Sequence, residues 1–449
     1  MSARLNFLCV SADTPTQERC EQLSNEFKYE FLKVPGPDEA MDLEGKYDQI
    51  QFTVISVQNL KDKADMVGVV QVTRHICKEG FICVVAARRM PQETAAFLKS
   101  SGANMVLLEN EFFDTSRLEF LASQVIRASF SPVKLNEFPV NSTLDFTLYH
   151  LMPLNQKLLP VLPKGSPLTE NRLKKMSEVS EVFIRRDEID RYRQFVELNP
   201  DLSGAGLKSR CRAQYLSLCH SHTQLIFLLS DQSEIASYKE GKWLYERCEA
   251  LAHDLLATLS SVAEAWDVVN NSSLGEFGSV ERAPTVASYA GLLSLASSQG
   301  ESMDVMVAAL LSDVGILELS PQITRKIRQT MGTNSLTPEE MADYQKHPLL
   351  SVNRCLARKL QIKDEVREMI LCTHERADSK GFPESRRLEK IPPGAMLIQF
   401  SELVDRKSIV KMGQAKISVK DCRLNLYEAA YKGHDIFSLG FLQKIKPVL

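Results

Sequence analysis

The chain has 449 residues, which is too long for one ordinary domain and suits two or three. Its hydrophobic fraction of 44%, charged fraction of 25% and net charge of -3 indicate a globular chain with sizeable apolar cores and argue against nucleic-acid binding. No stretch approaches the roughly 18 apolar residues of a membrane span, no signal-peptide pattern opens the chain, and the ten cysteines are scattered, so we expect a cytoplasmic protein with reduced thiols.

The first 130 residues alternate short apolar runs with segments able to form helices, which is the pattern of a doubly wound parallel sheet. The runs predict five strands, at residues 6–10, 29–34, 52–57, 81–86 and 105–108. In the number and spacing of these strands, residues 1–130 resemble a phosphoacceptor receiver domain, whose fold is flavodoxin-like. An unrelated small α/β domain is the alternative, and either would serve as an interaction module.

The resemblance implies a phosphorylation site, but the residues that its chemistry requires are missing. The phosphoacceptor position is Ser56, and the acidic pair after the first strand is reduced to Asp13. The conserved hydroxyl and lysine of receivers correspond to Ala86 and Glu109. Without carboxylates Mg²⁺ has no ligands, and without an aspartate no acyl phosphate forms. We therefore predict a pseudo-receiver, and we expect no acyl-phosphate labelling of this part.

A proline-containing polar segment at 129–143 predicts a domain boundary. Residues 140–200 then predict a small mixed α/β domain with no ligand that the sequence identifies. Its expected elements are strands near 146–149, 157–163 and 182–185 and a helix at 169–179, which Thr169 is suited to cap.

Residues 201–260 have a helical pattern and predict a connector to a C-terminal bundle. An amphipathic connector of this kind either pairs with its twin in a homodimer or packs against its own chain. We carry the homodimer forward as the expected assembly and leave packing on the same chain open.

Short motifs occur in a fixed order between residues 309 and 405. They are Ser312-Asp313-Val314-Gly315, His347-Pro348, Thr373-His374-Glu375-Arg376, Gly381-Phe382-Pro383 and Ser401-Glu402. In this order and spacing they resemble the HD-GYP family, bacterial hydrolases of cyclic di-GMP. The resemblance implies a helical HD-type bundle over 261–449 and a site with two metal ions, which together activate a water and hold the attacking and leaving oxygens.

Both imidazole ligands of the first metal ion are lost. The resemblance places them at an early-helix His, the HD dyad and a late Asp, which here are Arg282, Ser312, Asp313 and Glu402. A guanidinium has no lone pair to offer and repels a cation. We therefore expect no metal at this first position, and we expect Arg282 or a water network in the space beside Asp313.

The second metal ion of the family would be held at Asp313, His347, Thr373 and His374, and three of these four positions keep a ligand. Two histidines and one carboxylate suffice for a single divalent metal such as iron, manganese or zinc, with Glu402 helping. The alternative is that the three residues persist as hydrogen-bonded interior polar groups and bind no metal. Neither alternative supports two-metal hydrolysis.

The residues that the resemblance assigns to cyclic di-GMP contact are also eroded. The lysine after the HD motif is Ile316, and the tyrosine of GYP is Phe382, which keeps a stacking face and lacks the hydroxyl. If the nucleotide binds, Arg376, Phe382 and Lys411 are the best remaining contacts.

The whole chain is thus predicted to be multidomain, α/β plus all-α, and to act in bacterial signalling without catalysis. Its degenerate HD-GYP domain would bind other signalling proteins, or sense cyclic di-GMP without hydrolysing it. The alternative is a slow phosphodiesterase that uses one metal at Asp313, His347 and His374. A stoichiometric metal that disappears in a His347→Ala variant would favour the enzyme, and metal-free protein that associates with a partner would favour the scaffold.

Overall fold

The computed structural model describes residues 6–47, 50–127, 130–152, 157–176, 181–199, 201, 203–231, 237–273, 278–330, 332–409, 418–433 and 435–449. Within these residues no helix is both long and apolar enough to cross a membrane. All ten cysteines lie in the described part of the chain, where each is buried and unpaired with another cysteine.

The N-terminal part is built on a five-stranded parallel sheet. Its strands are β1 (Asn6–Val10), β2 (Glu30–Val34), β3 (Phe52–Ser56), β4 (Phe81–Ala86) and β5 (Met105–Leu108). They are arranged in the order β2-β1-β3-β4-β5. This is one of the two common orders of doubly wound sheets. The five predicted strands are therefore present, each within one residue of its expected bounds.

Helices cover both faces of this sheet. They are α1 (Thr14–Phe27), α2 (Pro37–Met41), α3 (Lys63–Cys77), α4 (Gln92–Ser100), α5 (Glu109–Asp114) and α6 (Arg117–Arg127). Side chains alternate along a strand, so Leu8 and Val10 enter one apolar cluster while Phe7 and Cys9 enter the cluster on the opposite face. Burial on both faces explains why these strands read as continuous apolar runs.

The second part is a four-stranded antiparallel sheet in the order β6-β9-β7-β8. The strands are β6 (Phe130–Lys134), β7 (Leu148–Met152), β8 (Lys157–Leu162) and β9 (Glu181–Arg185), with helices α7 (Glu170–Met176) and α8 (Ile189–Leu198). The Thr169 hydroxyl accepts a hydrogen bond from the Arg172 amide at 3.4 Å, as expected of a helix cap. Strand β6 lies inside the segment 129–143, where the sequence predicts a domain boundary.

Two long antiparallel helices follow, α9 (Gly204–Ser230) and α10 (Ser237–Leu259). Most residues of α9 are buried, and they contact every part of the chain. Phe227 packs against Phe81 of the first sheet, Thr223 accepts a hydrogen bond from Arg186 beyond the second sheet, and His222 hydrogen-bonds the Leu310 carbonyl in the C-terminal helices. Of the two alternatives for the connector, packing against the same chain is therefore the one observed for α9.

The C-terminal part is a helical bundle in which α12, α13, α17 and α18 pack around a shared apolar core. Its helices are α11 (Ala265–Ser272), α12 (Ser279–Ser297), α13 (Ser302–Leu311), α14 (Pro321–Thr330), α15 (Pro338–Tyr344), α16 (His347–Ala357), α17 (Asp364–Cys372), α18 (Pro393–Ser408), α19 (Val419–Gly433) and α20 (Leu439–Ile445). A 3-10 helix, Val314–Glu318, joins α13 to the segment before α14.

The start of α6 contacts this 3-10 helix directly. The Ser116 amide donates to the Leu317 carbonyl at 3.0 Å, and the Ser116 hydroxyl donates to the Leu319 carbonyl at 2.9 Å. The Arg117 guanidinium, 2% exposed, makes two hydrogen bonds to the Glu318 carboxylate at 2.7 and 2.9 Å. The N-terminal part is thus attached to the chain five residues after Asp313.

Candidate metal centre

Three potential metal ligands converge at the centre of the C-terminal bundle. Asp313 lies between α13 and the 3-10 helix, His347 begins α16, and His374 follows α17 by two residues. Their exposed fractions are 8%, 0% and 9%. One ligand atom from each lies within 4.8 Å of the other two, and among the described residues this is the one such group of three.

The orientation of His347 is set by a backbone contact from the turn before it. Its Nδ1 lies 2.7 Å from the Tyr344 carbonyl oxygen. A carbonyl oxygen only accepts, so Nδ1 carries the hydrogen and the lone pair of the neutral ring is on Nε2. That Nε2 faces Asp313 Oδ1 at 3.5 Å and His374 Nε2 at 2.9 Å. A histidine anchored in this way is the usual arrangement of a metal ligand.

His374 completes the group from the opposite side. Its ring stacks on Phe382, with centroids 4.7 Å apart and planes at 19°, and its Nδ1 lies 3.9 Å from Glu402 Oε2. Burial lowers the pKa of His374 to about 4, an effect that His347 and Arg406 reinforce and that Glu402 and Asp313 oppose. The ring is therefore neutral at pH 7, and its lone pair is available to a cation.

Asp313 is the carboxylate of the group. Burial acts to raise the pKa of Asp313, but the neighbouring His347, His374 and Arg406 favour the ionised carboxylate and outweigh burial, so that the pKa is lowered. The carboxylate is therefore ionised at neutral pH, as a metal ligand must be.

The separations fit a single ion. Two ligands bound at about 2.1 Å from one ion, at angles of about 90–109°, lie roughly 3.0–3.4 Å apart. The Asp313–His347 distance of 3.5 Å and the His347–His374 distance of 2.9 Å bracket that range. Two imidazole nitrogens and a carboxylate oxygen are a donor set that iron, manganese and zinc accept. Asp313, His347 and His374 are thus able to hold one divalent metal ion.

The backbone around Asp313 is held against α16 at close range. The Ser351 hydroxyl accepts a hydrogen bond from the Gly315 amide at 2.7 Å and lies 2.6 Å from the Ser312 carbonyl oxygen. A Cβ at Gly315 would come within 2.2 Å of the His347 carbonyl oxygen. Glycine at this position therefore allows Asp313 and His347 to approach one another.

The positions expected to have lost their ligands are occupied by residues with other partners. The Ser312 hydroxyl donates to the Ala309 carbonyl at 3.1 Å, and the Thr373 hydroxyl donates to the Ile370 carbonyl at 2.7 Å. Neither presents a donor atom like the imidazole that the resemblance implies there.

Arg282 or a water network was expected in the space beside Asp313, but the Arg282 side chain is bound to Asp405. Its Nε donates to Asp405 Oδ2 at 2.6 Å, and its Nη2 pairs with the same oxygen. Burial raises the pKa of Asp405, and the adjacent Arg282 charge opposes that rise. A buried carboxylate needs a close partner, which is the physical reason that Arg282 turns toward Asp405.

Glu402 lies beside the three ligands without joining them. Its Oε1 pairs with the Arg406 guanidinium one turn further along α18, while its Oε2 faces His374. Its expected role as a helper ligand is therefore limited by Arg406. Arg406 also hydrogen-bonds the Tyr344 side chain. Sequence reasoning missed Arg406 and Tyr344. For Arg406 a usable signal was its position one helical turn after Glu402.

The expected nucleotide contacts are largely engaged within the protein. Arg376 binds Asp378 with two hydrogen bonds of 3.0 and 2.8 Å and also contacts Asp435. One face of Phe382 is covered by His374. Lys411 lies outside the described residues.

The expected phosphoacceptor position, Ser56, is half-buried at the end of β3. Asp13, the remaining acid of the expected pair, caps α1 by accepting hydrogen bonds from the Thr16 amide at 3.0 Å and the Thr16 hydroxyl at 2.6 Å. Glu109, at the lysine position, pairs with Arg88 at 3.3 Å.

Comparison with known proteins identifies the part of the chain that contains the three ligands. Among solved structures the chain is similar to Bd1817, a HDG"Y"P protein from Bdellovibrio bacteriovorus, at 18% identity and a TM-score of 0.46, over 71% of this chain and 99% of that chain. No curated protein matches. Residues 260–415 match the family model described as HD domain, so that about a third of the chain, including Asp313, His347 and His374, is an HD domain.

Proposed function

We propose that this protein is a non-catalytic signalling protein whose HD domain is a degenerate HD-GYP-type domain able to hold at most one divalent cation. The observation that carries the proposal is the incomplete donor set. Asp313, His347 and His374 converge, and in the described part of the chain no second group of three stands beside them. Phosphodiester cleavage by the two-metal route needs a neighbouring second ion.

The partners of the lost positions support this proposal. Ser312 and Thr373 are hydrogen-bonded within their own turns, and Arg282 is bound to Asp405. Each of these contacts satisfies a buried polar group that would otherwise be costly. The arrangement is thus stable without a second metal, and rebuilding the lost site would require several substitutions at once.

A single metal would be held by Asp313, His347 and His374. When bound, it would act as a Lewis acid on a water or an anion. The residues of the chain supply orientation: the Tyr344 carbonyl fixes the His347 ring, and Phe382 covers His374. Such a site suits a structural or sensing role in the bundle.

We also propose that residues 1–130 are a receiver-type domain without phosphorylation chemistry. The strand order β2-β1-β3-β4-β5 and the position of Ser56 at the end of β3 support it. Asp13 is committed to a helix cap, which leaves Mg²⁺ without a carboxylate pair. This domain would act through its contacts.

The output of such a protein is binding to other signalling proteins. Sensing of cyclic di-GMP without hydrolysis is the weaker form of the proposal, because Arg376 and Phe382 already have partners inside the chain. A homodimer stays a prediction. Since most of α9 is buried within its own chain, a dimer would have to use other surfaces.

Metal content and turnover measured together test the proposal. Full-length protein should contain at most one metal ion per chain, and none after His347→Ala, which removes the anchored ligand. His253→Ala, at a side chain that is 71% exposed, is the matched control and should keep the wild-type metal content. Cyclic di-GMP that is incubated with Mn²⁺ and the wild type, His347→Ala or His253→Ala should stay cyclic. Two ions per chain, or conversion of the nucleotide to its linear form, would refute the proposal.

One observation favours a second candidate, a slow phosphodiesterase with a single metal. One ligand atom from each of Asp313, His347 and His374 lies within 4.8 Å of the other two, and His347 Nε2 is close to both Asp313 Oδ1 and His374 Nε2. For this candidate, the same experiment should show one ion per chain and metal-dependent hydrolysis of cyclic di-GMP. The hydrolysis should be lost in His347→Ala and retained in His253→Ala.

A further inference from the structure

Arg406 is a cation that the chain itself supplies at the edge of the metal-ligand group. It follows Glu402 by one turn on α18, and its side chain is 30% exposed. Its guanidinium pairs with Glu402 Oε1 and hydrogen-bonds the Tyr344 side chain. The pKa of Arg406 is raised, mainly by the charge of Glu402, with Tyr344, Asp313 and Asp405 adding to the effect.

The charges of the pocket explain why a cation is needed there. Three acidic residues, Asp313, Glu402 and Asp405, are buried here. Arg282 neutralises Asp405. Two negative charges then remain near His347 and His374, and buried charges without compensation are strongly disfavoured. Arg406 compensates one of them.

This contact differs from an ordinary pair on a helix surface. Ion pairs four residues apart on exposed helix faces are common and contribute little. Here the Glu402 side chain is only 11% exposed, and Tyr344, which interacts electrostatically with the guanidinium, fixes His347 through its carbonyl. The neighbouring Lys407 is exposed. Arg406 is thus part of the pocket, and Lys407 is not.

We propose that Arg406 competes with a metal ion for the Glu402 carboxylate. By pairing with Glu402, Arg406 weakens the binding of a cation at Asp313, His347 and His374. The inference rests on the proposed one-cation pocket. Two physical effects act in the same direction. Glu402 is withheld as a ligand, and the guanidinium, whose charge acts on both Asp313 and His374, repels a divalent ion bound between them.

Arg406→Gln tests the inference in the full-length chain. The protein is treated with a chelator and titrated with Mn²⁺ by calorimetry. Arg406→Gln should bind Mn²⁺ at least tenfold more tightly than the wild type, since the repulsion is gone and Glu402 is released. Arg406→Lys keeps the charge and should stay closer to the wild type. Lys407→Gln removes an exposed charge from the adjacent position and should leave the affinity unchanged.

The outcomes separate the inference from the proposed function. The number of ions bound by the wild type reports on the proposed function. Two ions per chain would contradict that function, whatever the variants bind. The affinity ratio of Arg406→Gln to wild type reports on the inference. Unchanged or weaker Mn²⁺ binding in Arg406→Gln, or no uptake at millimolar Mn²⁺, would overturn it. Arg406→Met repeats the comparison if Arg406→Gln does not fold, which circular dichroism reports.

Discussion

At the scale of single residues, burial keeps several histidines neutral inside this protein. The pKa values of His220, His222 and His374 are each lowered to about 4, with burial as the main cause. Above pH 6.5 these rings are neutral in both the folded and the unfolded chain. Below that pH the unfolded chain binds protons that the folded chain does not, so the free energy of unfolding falls as the pH falls toward 4.

We predict that His222→Gln reduces the acid sensitivity of the fold. The difference between pKa values of 6.5 unfolded and about 4 folded corresponds to about 3 kcal/mol lost through His222 between those pH values. Gln can still donate to the Leu310 carbonyl, which His222 contacts at 2.8 Å. Urea denaturation at pH 7 and pH 4.5 measures the loss. His253→Gln, at an exposed side chain, should lose as much free energy of unfolding between the two pH values as the wild type does. An equal loss of this free energy in His222→Gln and His253→Gln would contradict the prediction.

The resemblance of the motifs to the HD-GYP family was sufficient to name Asp313, His347 and His374 as possible ligands of one metal ion, and these three residues converge. It was insufficient for the arginines. Arg282 or a water network was expected beside Asp313. The Arg282 guanidinium binds Asp405 instead, and Arg406 is the arginine whose charge acts on Asp313. A guanidinium on a long side chain reaches several acids, and only the packed backbone decides which one is closest.

At the scale of elements, the apolar runs predicted the first sheet well because its strands are buried on both faces. Strand β6 was missed, since Pro132 and nearby polar residues resemble a linker. Proline has no amide hydrogen for a sheet, and it is tolerated here because β6 lies at the edge of the order β6-β9-β7-β8. The edge position depends on a partner strand about fifty residues away, which the local sequence does not reveal.

We predict that Gly315→Ala separates the 3-10 helix from α16. The new Cβ would lie 2.2 Å from the His347 carbonyl oxygen and 2.6 Å from the Ser351 amide, which are backbone atoms that cannot turn aside. Overpacking of this kind costs about 1–3 kcal/mol, and thermal denaturation should show it as a lower midpoint. The chelator-treated variant should also bind Mn²⁺ more weakly, because His347 is displaced.

Gly68→Ala is the matched control for this substitution. Gly68 lies within α3 and has no heavy atom within 4 Å of an added Cβ. Alanine there should raise stability by up to about 1 kcal/mol, through helix propensity alone. If Gly315→Ala melts like the wild type or above it, the close approach does not constrain the fold.

At the scale of the whole molecule, the three parts are connected through buried polar contacts as well as through apolar packing. Arg117 binds Glu111 of its own domain, Glu318 of the HD domain and the Ser230 carbonyl at the end of α9. The sequence did not predict this arrangement, because Arg117 and Glu318 are 201 residues apart and neither belongs to a recognisable motif. Composition indicated several parts but not how they meet.

We predict that Arg117→Met weakens this connection. It leaves Glu111, 2% exposed, without its cation, whereas Glu318 keeps Arg354 at 3.6 Å; removal of one partner of a buried pair costs about 3–5 kcal/mol. Hydrogen exchange should increase in residues 314–318, and the denaturation midpoint should fall. Arg88→Met, which removes a 71% exposed arginine from its pair with Glu109, should change both by little. Unchanged exchange in residues 314–318 would show that Arg117 does not hold this segment.

The attachment of α6 five residues beyond Asp313 has a thermodynamic consequence. If a cation bound at Asp313 shifts the 3-10 helix, cation binding changes the affinity of the N-terminal domain for its own binding partner. Because linkage is reciprocal, that partner then changes the affinity for the cation by the same factor. The two ends of the chain would then report on each other without any chemical reaction, and titrating one end in the presence of the other measures the coupling.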